Sequence, residues 1–527
     1  MRVVDRVPFG TLPGYNRIYV DLIEDFQRVR DLFSWDFRRE DDWRKILEAR
    51  QAPRRGRLSQ VLADQNRALG ASEATIEAAL AISDNTTFVV TTGQQLSIFG
   101  GCLFYFYKTL TAMRLAAELS GRLGVRVVPV FWMEGEDHDL AEVDHLSVPG
   151  PEVQTLHLEG TRQSREPVGD RPLPQEIDLL HGRLREALPS TEFTRDLLDR
   201  LASIYQPGVS WAEAFGRWWT HLFPGLVLVN PSDPRIKELA APVFRQEMER
   251  AGEIVESSAR RDELIEAMGY DLQVRTTYPN FFWLRSGERQ GVRFEGGRYF
   301  LAQSDEDITQ GMDRPYLFSP KVLLRPVVQD FLMPNLATVT GPGEIAYFAQ
   351  AEALFAAHGM VPSVLYPRAA ATILEKPVAK FMAGAGLSLP ELAQGPRAIF
   401  ERLKGAHPED ALFAASLDQI EAVAAALSPL AAEVDPTLTG AIDTAREKVV
   451  YQISNLRSKF SRARYQKEET TSRRLEAACS SCFPGGVLQE RVAAGVYFLA
   501  KYGPAFLAEL ADALPAACAD HLVLTID

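Results

Sequence analysis

Cysteine is scarce, at four in 527 residues. That number excludes a disulfide framework and makes a reducing, cytoplasmic setting the expectation. No uninterrupted apolar run approaches the ~20 residues needed to span a bilayer. The first residues, MRVVDRVPFG, lack the apolar core of a secretory signal. Positive charge is not in excess: 57 Lys and Arg face 70 Asp and Glu, a net charge of −13. Nucleic acid is therefore not expected as a partner of the whole molecule, nor is a membrane. No Gly-Lys-Ser/Thr is present, so a Walker A phosphate loop is excluded.

What is there fits a globular protein of two or three domains, with 46% hydrophobic and 24% charged residues. The chain is organised around Phe88 to Asp139. A buried-strand run, Phe88 to Thr92, breaks at Gly93-Gln94-Gln95, and Gly100-Gly101 precede a helical pattern carrying Leu103, Phe106, Leu110 and Met113. Val125 to Met133 is a second apolar run. This is the βαβ unit of a doubly wound α/β fold, in which ligands sit beyond the carboxyl ends of the strands.

Elsewhere, residues 1–84 read as helices, with Trp35 and Trp43 as core aromatics. Val143 to Val148 reads as a short strand, residues 150–175 as a loop, and 175–223 as helices whose Trp211, Phe215, Trp218 and Trp219 form a core stripe. Gly225 to Asn230 is another buried strand, and Pro231-Ser232-Asp233-Pro234 caps the helix after it. The alternation between Leu272 and Gln303 predicts inserted antiparallel hairpins. Leu336 to Thr340, Gly341-Pro342-Gly343-Glu344 and Ile345 to His358 repeat the strand, turn, helix sequence. From residue 436 to 481 one helix of about 60 Å or more is expected, paired antiparallel with residues 410–431. Nine Lys or Arg against four Asp or Glu in residues 442–474 are either a solvated coiled-coil face or a patch for nucleotide phosphates. Leu488 to Leu514 reads as a final helix. The expected division is 1–374 as an α/β core, with inserted segments at about 150–223 (helical) and 272–303 (hairpins), 375–483 as a helical coiled-coil arm, and 484–527 as a C-terminal helix returning to the core.

Three places carry chemistry. Gly93 to Gly101 is a glycine-bearing turn whose N–H groups suit an anion, although it is not GxGxxG. Glu136-Asp137-His138-Asp139, with Glu142, Asp144 and His145 close behind, is open to three interpretations: a divalent metal site, polar substrate recognition with His138 as acid/base, or a solvated turn. Arg325, Gln329, Glu344, Tyr347 and Gln350 lie near the later switch, where Arg325 either clamps an anion or makes a structural ion pair. Cys479 and Cys482, spaced as CxxC without a second pair, make a poor zinc site, and Cys102 and Cys518 are expected to be buried.

The blocks TTGQQLSIFGG, VPVFWMEGEDHDLAEVDH, LVLVNPSDP, SPKVLLRPVVQD, GPGEIAYFAQ and LQERVAAGVYFLAKYGP occur in order between about residues 86 and 503. Together they resemble the cysteine-adding enzymes of bacillithiol biosynthesis, the BshC family. The resemblance implies a Rossmann-like core with inserted segments, similar to that of class I aminoacyl-tRNA synthetase-like ligases, although no HIGH or KMSKS signature is present. It also implies a coiled-coil arm used for homodimerisation, cysteine and glucosaminyl malate as substrates, and ATP or ADP as nucleotide. The chain departs from the family pattern at Ser97, Gly100 and Cys102, where Gly, Thr and Pro are expected. It departs again at Lys321, where Asn is expected; this lysine is either a phosphate-binding ammonium or a surface change. The residues carried over are Gly93, Gln94, Gln95, Asp137, His138, Asp139, Arg325, Gly341, Gly343 and Glu344, with Gly101 beside them as a binding residue. In the mechanism this implies, Asp137, His138 and Asp139 are catalytic, and the Gly93 to Gly101 turn holds phosphates. Two rivals remain open: a metal-dependent hydrolase using the Glu-Asp-His-Asp cluster with His145, and a nucleotide-binding scaffold.

Overall fold

The structure, a computed structural model, describes residues 1–50, 55–150, 152–161, 164–404, 408–467, 469–515 and 519–526. Cys518 lies outside them. The chain forms two compact units, Met1–Ile373 with Val487–Leu524, and Leu374–Gly486 with Thr525–Asp527.

The first unit is built on five parallel strands in the order Val364–Pro367, Asn335–Thr340, Thr87–Gln95, Arg126–Glu134, Val227–Val229. In chain order the strand beginning at Thr87 comes first but lies in the middle, which is the Rossmann-type arrangement. Its two neighbours are reached by connections running in opposite directions, so a crevice opens where they part. The apolar runs form these strands because both faces are covered. On one face, Ala112, Leu115, Ala116 and Leu119 of the Leu103–Leu123 helix pack with Phe88, Val90, Val127, Leu336 and Val339. The pairing of Thr87–Gln95 with Arg126–Glu134 runs unbroken, ending with Gln95 opposite Glu134. Trp43, Trp211, Trp218 and Trp219 are core, as expected, whereas Trp35 is half-buried at its edge; Trp219 stacks on Phe215 at 4.9 Å and donates to Thr109 Oγ1 at 3.1 Å. The inserted antiparallel segment pairs Phe281–Arg285 with Glu288–Gln290 and Phe318–Pro320, and Val292–Glu295 with Arg298–Leu301.

Several local expectations are overturned. Arg2–Pro8 is a strand, not helix, because it pairs with the C-terminal strand Asp520–Ile526, a partner about five hundred residues distant. Gln154–His157, inside the expected loop, is a strand paired antiparallel with His145–Val148. The single C-terminal helix is three short ones, Gln489–Val492, Gly495–Tyr502 and Ala505–Ala513. It breaks at Ala493 and Ala494, which bridge to Ser147 and Cys102, and again at Gly503, whose φ is +72°.

In the second unit, Pro408–Val434 and Leu438–Lys467 run antiparallel. Glu421 meets Arg446 at 3.3 Å, Phe413 meets Phe460 at 5.5 Å, and Asp410 meets Arg457 at 3.7 Å. The long helix is two, the second being Glu469–Cys482. The Ser472 hydroxyl donates to the Tyr465 carbonyl, a contact that a straight helix would hold about 10 Å apart. Three arginines of the basic stripe, Arg446, Arg457 and Arg464, pair within this unit, and Arg464 meets Glu401, Glu409 and Asp410 at 3.0, 3.5 and 3.6 Å. This favours the coiled-coil interpretation over a phosphate patch. Glu409–Val434 is long and apolar enough by length and composition alone to cross a membrane, although Asp418 and Glu421 interrupt its apolar run. The same composition serves one arm of a helical hairpin. Cys479 and Cys482 are free and buried, and burial pushes both thiols above their ordinary range.

One buried group in the first unit couples stability to pH. Glu247 is fully buried and accepts from the Asn280 backbone N–H and side-chain amide at 3.1 and 3.0 Å. Burial pushes its carboxyl up to about 7, against the hydrogen bonds from Asn280. His358 Nδ1 donates to the Leu354 carbonyl at 2.8 Å, so the neutral ring turns its lone pair, on Nε2, toward Glu247 Oε2 at 3.7 Å. The native state thus binds a proton more tightly than the unfolded chain. The resulting stability is complete below the ordinary carboxyl range and is lost as pH rises through about 7. Glu247→Gln is expected to flatten this dependence and to exceed the parent by up to ~3 kcal/mol above neutrality. Urea unfolding at mildly acidic and mildly alkaline pH checks it, and parallel curves for the two proteins would refute it.

Candidate active-site crevice

The crevice of about 440 Å³ lies at the carboxyl ends of the central strands, where the doubly wound topology places it. Gly93, Gln94 and Gln95 enter it as the last residues of the Thr87–Gln95 strand, half-buried where the preceding six are buried. Gly93 is required by contact: a Cβ there would stand 2.8 Å from the Trp132 carbonyl oxygen on the neighbouring strand.

The second half of the expected phosphate turn is differently employed. A Cβ on Gly100, whose φ is +89°, would collide with the indoles of Trp219 and Trp218 at 2.8 and 2.9 Å. The N–H groups of Gly100, Gly101 and Leu103 already donate to Ser97, Ile98 and Ala493 carbonyls at 3.0, 3.1 and 3.0 Å. Gly101 does not reach the crevice. It lines a second cavity, of about 330 Å³, with Cys102, Tyr105, Glu142, His145 and Arg491; Gln94 and Gln95 border both. The Gly100-Gly101 part of the turn therefore serves packing, and its N–H groups are already engaged.

The acidic cluster divides by position. Glu136 is buried and ion-paired with Lys237, itself 4% exposed, whose Nζ also donates to the Phe318 carbonyl at 2.9 Å. It ties the strand end to the next helix. Asp137 lines the crevice. Its Oδ2 accepts from Gln95 Nε2 at 2.7 Å, and its Oδ1 accepts the His138 and Asp139 N–H groups at 2.7 and 3.4 Å. Burial works against ionisation here, but Gln95, the Arg289 guanidinium at 3.6 Å and the two N–H donors hold Asp137 below the usual carboxylate range. Asp139 is exposed and does not line the crevice.

His138 lines it at 31% side-chain exposure. Burial first, then the Arg289 cation, lower its pKa, so the ring is neutral at physiological pH. Arg289 Nη1 lies 3.4 Å from His138 Nδ1. A guanidinium only donates, which leaves the imidazole proton on Nε2.

Three cations also line the crevice. Arg289, 6% exposed, stacks over Phe282 at 4.3 Å from the ring centroid and donates to the Pro320 carbonyl at 3.2 Å. Lys321 lies over the same ring, 5.2 Å from its centroid, and donates to Thr277 at 3.3 Å. Among the described residues no carboxylate comes within ion-pair distance of it. Arg325 meets Glu134 at 2.8 Å and donates to the Tyr347 hydroxyl at 2.6 Å. Burial pushes the Glu134 carboxyl up to about 7, although Arg325 opposes it. Glu344 lines the crevice and accepts the Gly341 N–H at 2.8 Å, whereas Gly341 and Gly343 shape the turn without lining the crevice. Gln329 and Gln350 are buried structural amides, bonded to Thr91 at 2.9 Å and to Asp262 at 3.0 Å.

Sequence reasoning passed over Lys108, Lys237 and Arg289. Lys108 is fully buried, and its Nζ reaches the Gly93 carbonyl, Gln94 Oε1 at 3.0 Å and Glu344 Oε2 at 2.7 Å. One ammonium thus joins the two strand ends between which the crevice opens. Its only sequence signal is a lysine on the apolar face of a helix. Arg289 sits in a hairpin whose partner in the fold no local pattern announces.

The metal-hydrolase alternative loses its ligand set. His145 lines the second cavity and not the crevice, Glu136 is held by Lys237, and Asp139 does not line the crevice. Among the described residues, these side chains do not bring three ligand atoms together around one point.

Residues 4–369 match the family model described as Bacillithiol biosynthesis BshC, N-terminal Rossmann-like domain, and residues 371–526 match the C-terminal coiled-coil domain of the same family. A relative from Salinibacter ruber, named "Putative cysteine ligase BshC", is 32% identical over 541 residues, covering 100% of this chain and 99% of its own length. Relatives with the same name from Koribacter versatilis and Symbiobacterium thermophilum are each 31% identical. The first alignment covers 99% of this chain and all of the relative, the second 97% and 98%.

Proposed function

Since the chain belongs to the BshC family of bacillithiol biosynthesis over nearly its whole length, we propose that it is the cysteine-adding ligase of that pathway. It would join the carboxyl of L-cysteine to the amine of glucosaminyl malate, with ATP activating the carboxyl. The observation that carries this is the crevice itself, in which Asp137 beside Arg289, Glu134 paired with Arg325, and Lys321 surround a neutral imidazole.

An amide does not form from a free carboxylate at neutral pH, because the carboxylate is a poor electrophile. Transfer of an adenylyl or phosphoryl group to the cysteine carboxyl makes it one. The amine then attacks the acyl carbon, the carbon–oxygen bond to phosphate breaks, and AMP or phosphate leaves with the electron pair while the amine sheds a proton. In this scheme Asp137 receives the substrate ammonium and Lys321 holds phosphate or carboxylate oxygens. His138 donates its Nε2 proton in a hydrogen bond to the oxygen on which charge builds. Lys108 and Glu344 keep the two strand ends at a fixed spacing. The helical unit would serve as a homodimer contact. Val423, Leu430 and Val434 stand 58%, 57% and 80% exposed on one of its helices, more apolar surface than a lone hairpin keeps in water.

The test is purified protein with cysteine, glucosaminyl malate and ATP, followed by mass detection of the thiol product and the spent nucleotide. One equivalent of AMP or ADP per amide is expected. The same preparation should scatter light as twice the chain mass. Product formation without nucleotide turnover would remove the activation step. Absence of product would remove the assignment.

A further inference from the structure

A second chemically coherent cluster lies outside the crevice, on the hairpin of His145–Val148 and Gln154–His157. His145 and His157 are directly opposed in the antiparallel register, so both imidazoles stand on one face. Their ring centroids are 5.2 Å apart. Asp144, just before the first strand, turns Oδ1 to 3.3 Å from His145 Nδ1 and 4.0 Å from His157 Nδ1. One ligand atom from each of the three residues lies within 4.8 Å of the others. Ligands about 2.1 Å from a common ion stand roughly 3.4 Å apart at a tetrahedral site, so small side-chain adjustments close this set around one ion.

The platform is rigid. Leu146 and Leu156, opposed on the other face, are each 4% exposed. Ser147 and Thr155 hydroxyls bond at 2.9 Å, and the Leu158 N–H donates to the Asp144 carbonyl at 2.8 Å. Asp144 is pinned between the strands with its side chain 17% exposed, whereas His157 is 59% exposed and can be reached from solvent.

We propose that Asp144, His145 and His157 form a binding site for a divalent first-row transition metal ion of the zinc class. Two imidazoles and one carboxylate are the donors that such ions prefer over magnesium or calcium. Three protein ligands leave a coordination position open to water or an external donor. His145 also lines the second cavity, which shares Gln94 and Gln95 with the crevice. An ion here therefore stands at the edge of that cavity and apart from Asp137 and His138. The site is independent of the ligase assignment.

Equilibrium dialysis of the full chain against zinc chloride, with metal counted by elemental analysis, and titration with cobalt chloride followed by visible absorption test it. One zinc per chain and the absorption of low-coordinate cobalt are expected. His157→Ala, which alters an exposed side chain, and Asp144→Asn should each weaken zinc binding at least ~10-fold, with unchanged circular dichroism. His138→Ala should bind zinc as the parent does. The proposal is overturned if the parent binds no more zinc than His157→Ala, or if binding is lost in His138→Ala instead, which would place the ion in the crevice.

Discussion

His138→Ala is expected to lower the rate of cysteine ligation by ~10²–10⁴-fold, the range seen when one positioned acid–base or hydrogen-bonding group is removed, while the protein remains folded. The fold should survive because the side chain is nearly one-third exposed and fills a crevice wall rather than a core. The rate should fall because the position controls a single proton. Arg289 occupies the Nδ1 side, which leaves the remaining proton on Nε2. Burial and the same guanidinium disfavour a second proton, so the acid limb of the rate profile should lie below the ordinary imidazole range. Arg289→Met should move that limb upward by removing the nearby cation. Kinetics across pH on the three proteins checks this, and unchanged turnover in His138→Ala would remove the imidazole from the chemistry.

Arg368→Met is expected to have the largest effect on stability, a loss of ~3–5 kcal/mol. The guanidinium makes a two-pronged contact with Glu490, Nη1 to Oε2 at 3.1 Å and Nη2 to Oε1 at 2.5 Å, with the side chains 2% and 1% exposed. Glu490 also accepts the Ala371 N–H at 3.1 Å, so the pair ties the C-terminal segment to the chain leaving the last parallel strand. Burial opposes both charges, yet each partner shifts the other toward ionisation, Arg368 upward and Glu490 downward. The stability contributed by Glu490 is therefore present above the ordinary carboxyl range and is lost as pH falls through its depressed native value. Removing the cation leaves a carboxylate buried without a counter-charge. The double substitution Arg368→Met with Glu490→Leu should recover much of the loss, because no ion then remains in the interior. Denaturant midpoints of the parent, the two single variants and the double variant decide this. A midpoint for Arg368→Met equal to the parent would refute it.

Much of the site is legible in the order of residues along the chain, and the reasons are local. Phe88 to Thr92 and Val125 to Met133 are apolar on both faces, which only strands covered on both sides tolerate. Strand ends that carry Gly-Gln-Gln and Glu-Asp-His-Asp then place polar groups where a doubly wound sheet opens. The same local logic misassigns Gly100 and Gly101, because glycine serves anion approach and tight packing equally well. Only the neighbours in space distinguish the two, Trp218 and Trp219 against Gly100 and Ser97 and Tyr105 against Gly101.

Composition and periodicity by themselves determined the class of fold, the two central strands, the helical arm and the membership of Asp137 and His138 in a polar strand end. Tertiary structure alone decided which charges work together. Arg289 arrives from a distant hairpin, Lys108 crosses from one strand end to Glu344 beyond another, and Lys237 pairs with Glu136 in the crevice lining. The physical reason is that apolar patterning acts over a few residues and is written in order along the chain. Charge pairing depends on distances between segments far apart in sequence, and those distances exist only once the sheet has been assembled.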